Sequence, residues 1–279
     1  MPATRRSVVP AILVSCLILF VAAGPAAAQQ MPTVSPAPAI PEFLPRADFH
    51  MSVDRLIRSL TPQQELVDQR FSWASHFGGS FDLVDYVVGR GTVTIDYQAV
   101  MGSEFRPFDL NQGVYFLEAS VSGRASAGTE AALVFHHVSR HISDRPKPFS
   151  IAWNVLGGRL LHQVAAGSTT VDLAVEGGRV MQHSYVDYTW LGEGNLQVRH
   201  QINSHAGLFA HGTGQLFGVD TIVAGRSRQA GGRIEAGIRL KGRGGVMEFF
   251  AGYEKRVDAD PVDRLQQRWG IAGVRLLSR

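Results

Sequence analysis

The chain has a single cysteine, Cys16, among 279 residues, and it falls in a stretch that reads as a leader. A mature protein without thiols has no disulfide framework, no Cys-based metal site and no Cys nucleophile. An excess of charge of one sign is also missing. Lys and Arg number 27 against 24 Asp and Glu, and two of the basic residues, Arg5 and Arg6, sit in the leader. With no net basic field, nucleic acid is not expected as a partner. A phosphate loop, a dinucleotide fingerprint and a zinc motif of the His-Glu-x-x-His type are lacking, and no cofactor or metal is expected. Helical periodicity is scarce as well: no long helical stretch interrupts the roughly two hundred residues after Gln69.

What is present begins with an export signal. Arg5 and Arg6 form a positive n-region, Val8 to Ala23 an apolar core, and Ala26-Ala27-Ala28 a small-residue cleavage pattern, which predicts removal of residues 1–28. The apolar run is too short for a permanent transmembrane helix. Leu13-Val14-Ser15-Cys16 offers a lipoprotein box as a rival, against which strongly apolar residues continue to Ala23. The paired arginines suggest twin-arginine export, which carries folded cargo, whereas a barrel must cross the inner membrane unfolded.

Residues 29–68 read as a Pro-rich periplasmic segment, with five prolines between Gln29 and His50. Ser52 and Thr61-Pro62 are helix-start signals, and Leu56, Ile57, Leu60, Leu66 and Val67 supply an apolar face for short helices. From about Gln69 the pattern changes to period two. In Arg233–Lys241 one face is Arg, Glu, Gly, Arg, Lys and the other Ile, Ala, Ile, Leu; Gly91–Met101, Leu196–Asn203 and Val246–Lys255 repeat the theme. Runs of this length suit tilted membrane-crossing strands. Trp73, Tyr188, Trp190, Tyr253 and Trp269 fall at strand ends, where interfacial girdles belong.

The fold expected is all-β: an antiparallel transmembrane barrel over residues 69–279, in the outer membrane of a Gram-negative cell. A soluble periplasmic β-protein is the rival. Thirteen segments read as strands, 69–77 and 80–89 being the first two, but such barrels normally have an even number. The pattern of long and short connections places a misread boundary between 149 and 206, at Gly157-Gly158 or Gly177-Gly178, so about twelve strands are predicted. Glu118, Asp172, Glu176, Arg199, Arg233, Glu235, Arg239, Lys241 and Glu248 are assigned to the lumen. Asp82 and Asp85 are expected to pair with Arg90 or Arg124 there. Opposite charges facing one another predict a plugged or narrow interior.

The segment richest in chemistry is Phe135-His136-His137-Val138-Ser139-Arg140-His141-Ile142-Ser143-Asp144-Arg145. On a strand His137, Ser139 and His141 share one face, so that imidazole and hydroxyl meet as base and nucleophile. Asp144 and Asp172 are the acids available to orient the imidazole. His136 and His141 are candidate binding residues. The competing reading is structural, since His and Ser at a barrel rim commonly bond to each other or to loops. His200, His205 and His211 do not share a strand face, and no metal is predicted there.

The segment resembles the His-x-Ser motif of the lipid A deacylases, outer-membrane barrels that cleave an acyl chain from lipopolysaccharide. It is more similar to an uncharacterised group of outer-membrane barrels whose motif runs His-x-Ser-x-His-x-x-Asp, matched here by His137, Ser139, His141 and Asp144. The first resemblance implies His137 as base and Ser139 as nucleophile. The chain departs from it in having Arg140 after the Ser, and Phe149–Asn154 where the deacylases place a Glu. Two functions therefore stand: a structural, binding or narrow-pore barrel without catalysis, and an esterase acting on outer-leaflet lipid. The expected partners are the bilayer, lipopolysaccharide and the barrel assembly machinery.

Overall fold

A computed structural model describes residues 31–57, 69–104, 106–143 and 149–278. The leader, the Asp144 motif position and Leu60, Thr61, Pro62, Leu66 and Val67 lie outside them. Twelve strands close into one antiparallel barrel: β1 (Glu42–Ile57), β2 (Trp73–Asp85), β3 (Gly89–Gly102), β4 (Asp109–Ser126), β5 (Thr129–Ile142), β6 (Ile151–Ala166), β7 (Thr169–Ser184), β8 (Tyr188–Gln201), β9 (Ala206–Val219), β10 (Gln229–Lys241), β11 (Val246–Asp260) and β12 (Leu265–Leu277). Each pairs with its sequence neighbours, and β1 closes on β12 between His50–Leu277 and Ile57–Gly270.

The predicted strand number is right, but two of its boundaries are not. The barrel begins at Glu42, not near Gln69, and Ser52, Leu56 and Ile57 lie in β1 rather than in a helix. The alternation of Phe49, Met51 and Val53 with His50, Ser52 and Asp54 is a strand pattern, which the prolines upstream obscured. The segments 69–77 and 80–89 are one strand, running through Gly78-Gly79. Gly78 is there for contact: an added Cβ would lie 2.4 Å from the Ile95 carbonyl oxygen and 2.9 Å from an Asp96 carboxylate oxygen. Its absence lets His50 on β1 reach across β2 to Asp96 on β3, with Nε2 2.6 Å from the carboxylate. Gly177-Gly178, one of the two suspected boundaries, is continuous within β7.

The connections differ at the two ends. Residues 86–88, 127–128, 167–168, 202–205 and 242–245 are tight; the connections at the opposite end include 58–72, 143–150 and 220–228, the last holding a single turn of helix, α1 (Thr221–Ala224). Short turns mark the periplasmic side of such barrels and longer loops the outside.

The interior is polar and largely ionic. Arg233 is bonded to Asp54, Glu235 and Glu254, and Arg275 to Glu235 and Glu248. Arg90 joins Asp82 and Glu130 at 2.9 and 3.0 Å, and Arg124 joins Asp85, as the sequence suggested. Removing one member of such a buried pair costs about 3–5 kcal/mol, because the other is left uncompensated. Residues 31–36 fold back into the lumen from the short-turn end. Met31 and Val34 pack against Leu161 and Ala174, Ser35 donates its N–H to Glu130 at 2.9 Å, and Arg124 donates to the Ser35 carbonyl at 3.1 Å. Nearer the long-loop end the lumen is filled by Trp153, Tyr188, Leu191 and Phe217, and by Phe71 against Trp269. Tyr188 and Trp269 thus face inward, each 1% exposed, and are not girdle residues; Trp73, Trp190 and Tyr253 remain on the outside.

Candidate functional site on the lipid-facing wall

Alternation along β5 sorts the His-rich segment into two environments. Glu130, Val134, His136 and Ile142 point inward; Leu133, Phe135, His137, Ser139 and His141 point outward. His136 is buried beside Glu176, with Nδ1 3.3 Å from a carboxylate oxygen. Glu118, His136 and Glu176 could converge on a metal, yet Arg159 already bonds Glu118 at 2.7 Å and Glu176 at 2.6 Å. A guanidinium between the two carboxylates supplies the positive charge a cation would bring, so the cluster fits an ion-pair network better than a metal centre.

The outward set forms a row of polar contacts. His137 Nδ1 lies 2.6 Å from Asn154 Oδ1, its cross-strand partner on β6. Asn154 in turn donates its side-chain N–H to Gln182 Oε1 on β7 at 3.2 Å. The amide oxygen accepts from Nδ1–H, and that tautomer leaves Nε2 of His137 as the basic nitrogen. Ser139 Oγ lies 3.0 Å from His141 Nε2, and the His141 ring stands edge-on to Tyr115 at 5.1 Å. A serine hydroxyl, two imidazoles and a side-chain amide therefore lie on one patch of β5–β7, near the end with the longer loops.

The hydrogen bond of Ser139 goes to His141, whereas the sequence paired it with His137. Asp172 is not the orienting acid. It faces the lumen, buried, and bonds Arg199 and Gln163. The residue beside the His137 imidazole is Asn154, from the Phe149–Asn154 stretch; sequence alone assigned it no role, and the β5–β6 register brings it opposite His137. His200 is exposed on the outer wall beside Thr169, at 2.9 Å, while His211 is buried near Glu235, so these histidines do not form a site.

The wall that carries the patch is apolar. Phe49, Phe77, Ile95, Leu117, Leu133, Leu160, Val175, Leu208, Ile234, Ile238 and Phe249 are exposed around the circumference, while most of the strand charges lie inside. This is the inverse of a soluble protein's distribution, and a closed sheet has every backbone group paired within lipid. The chain is an outer-membrane β-barrel. No helix among the described residues is long and apolar enough to cross a membrane; the strands make the crossing.

No family model matches the chain, and no curated protein does. Solved structures similar to it include outer membrane phospholipase A from Escherichia coli, with a TM-score of 0.49 and 12% identity over 83% of this chain and 92% of that one. LpxR from Salmonella typhimurium has a TM-score of 0.44 and 8% identity, over 83% and 99% of the two chains. Omp33 from Acinetobacter baumannii has 0.39 and 6%, over 84% and 97%. These are likenesses between barrels; the chemistry of the patch rests on its own residues.

Proposed function

We propose that this barrel is a serine-type acyl-ester hydrolase acting on lipids of the outer leaflet. The observation that carries the reading is the His137–Asn154 hydrogen bond beside Ser139 on the lipid-facing wall. Ser139, His137 and Asn154 stand on a wall whose other outward residues include Phe135, Leu133 and Leu156, where polar side chains have little packing role. Ester carbonyls of lipids lie near the headgroup boundary, and the nearness of the patch to the long-loop end supports that depth for it.

In the proposed reaction Ser139 Oγ attacks the ester carbonyl carbon as its proton passes to His137 Nε2. The tetrahedral intermediate collapses, the alkoxide of the lipid leaves with that proton, and a fatty acyl group remains on Ser139. Water, deprotonated by the same nitrogen, releases the fatty acid and regenerates the hydroxyl. Asn154 holds the imidazole in the productive tautomer, as the third member does in hydrolytic triads. His141 holds the Ser139 hydroxyl in the resting enzyme, and rotation about χ1 delivers it to His137.

The test compares cells expressing the native chain and Ser139→Ala, with lipid A and glycerophospholipids profiled by mass spectrometry. Deacylated lipid from the native chain alone, with acyl release lower by about three orders of magnitude or more in the variant, is the expected result. Identical profiles from two folded barrels would refute the esterase and leave a structural barrel.

A further inference from the structure

Charge on the lipid-facing wall is sparse and of one sign. Four strand residues there are charged, Arg55, Arg179, Lys255 and Arg268, and all are cations near the long-loop end. Among the described residues no Asp or Glu occupies a lipid-facing strand position from Arg46 onward. Two of the four are direct neighbours: Lys255 on β11 and Arg268 on β12 are register partners. Side chains so placed have Cβ atoms about 4.5–5.5 Å apart, and like charges there repel. Neither side chain has a hydrogen bond or ion pair with another described residue, unlike Arg55, which donates to the Ser72 carbonyl and lies over Trp73.

Toward the membrane centre from this pair the wall is shallow. The next lipid-facing positions set Tyr253 against Gly270 and Ala251 against Ala272, then Phe249 against Val274. On the other side of β12, Ile57 is the register partner of Gly270. Three small residues, Gly270, Ala251 and Ala272, thus form a shallow strip between Tyr253 and Phe249 on β11 and Ile57 and Arg55 on β1, a trough running from the cation pair toward the apolar belt.

We propose that Lys255 and Arg268 bind a phosphate monoester of an outer-leaflet lipid, that of lipopolysaccharide, with an acyl chain lying in the trough below. A monoester carries about −1.5 to −2 charge at neutral pH and matches two cations, whereas the diester of a glycerophospholipid carries one. The bound anion removes the repulsion that the empty pair suffers. The site lies across the barrel from β5–β6 and does not depend on the esterase reading.

The probe is lipopolysaccharide retained by the native barrel after extraction in mild detergent, measured by native mass spectrometry. The double variant Lys255→Ala, Arg268→Ala is expected to retain roughly thirtyfold less, the effect of losing two cations near an anionic surface. Arg243→Ala, in the turn at the opposite rim, should change nothing. Enzymatically dephosphorylated lipopolysaccharide should bind the native barrel as weakly as intact lipid binds the double variant. Equal retention by the double variant, with its barrel shown folded by heat-dependent gel mobility, would overturn the site. Phosphatidylglycerol competing as well as lipopolysaccharide would overturn the monoester assignment.

Discussion

A single amide decides how the His137 ring is used. Asn154 is neutral, so it orients the imidazole without the charge that an Asp would lend to the imidazolium. Residues that act as one unit lose activity together rather than additively. His137→Ala is therefore expected to lose as much acyl release as Ser139→Ala, and Asn154→Ala at least about tenfold. His141→Ala, which removes only the resting partner of the hydroxyl, should lose less than either. Fatty acid release from an ester presented in detergent micelles measures all four; a larger loss at His141 than at His137 would make His141 the base. Much of this patch was legible in the sequence, because the strand period of two places residues 137, 139 and 141 on one face whatever the register. Asn154 was not, since cross-strand pairing depends on the length of the connection over residues 143–150, which no local pattern encodes.

At the scale of elements, the strands declared themselves where side chains alternate cleanly and misled where glycine or proline intervened. Gly78-Gly79 and Gly177-Gly178 have the composition of turns, yet both lie within strands, one of them to let buried side chains meet across it. The reverse error hid β1, whose alternation follows five prolines. Loops carry their own electrostatics. Arg226, after α1, holds Asp187 with bonds of 2.6 and 3.0 Å and Asp258 with bonds of 2.6 and 2.8 Å, and Arg264 joins Asp187 at 3.2 Å. Burial raises the Asp187 carboxyl, but the hydrogen bonds from Arg226 and the charges of Arg226 and Arg264 outweigh it and leave the group below its ordinary value. A carboxyl lowered on folding stabilises at pH values above its unfolded pKa, and that contribution is lost as pH falls through the folded value. The β7–β8 and β9–β10 loops should thus open together below about pH 4, read as protease sensitivity or hydrogen exchange. Asp187→Asn should leave them loose at neutral pH and remove the acid step. An acid step that persists in that variant would assign it to another carboxylate.

For the molecule as a whole, the interior decides whether the barrel transports anything. Its cavities include pockets of about 60, 80 and 290 Å³, the largest at the short-turn end beside Met31 and Thr33. The pocket of about 80 Å³ is lined in part by Trp153, Leu191 and Phe217, which with Tyr188 occupy the lumen toward the long-loop end. Planar bilayers containing the purified barrel are therefore expected to show no unit conductance, and deletion of residues 31–36 should not create one, since the aromatic layer remains. Steady ion current through the native barrel would require that layer to move and would favour the narrow-pore alternative.

Closure of the cylinder is complete only from His50 upward. Below it β1 continues as Glu42–Phe49 alongside β2, while β12 has already ended at Leu277, and Ser278 exchanges single hydrogen bonds with Phe49 at 2.8 Å. Among the described residues Glu42–Phe49 are therefore paired on the β2 side alone, and an edge of that kind is one on which a foreign strand can polymerise. Pro45 offers no N–H along it, and the ladder is broken between Phe43 and Arg46, where Leu44 turns to a φ of 51°. Pro45, one of the prolines that disguised β1 in the sequence, is thus also a safeguard: it makes this margin, among the described residues, a poor template for a second copy.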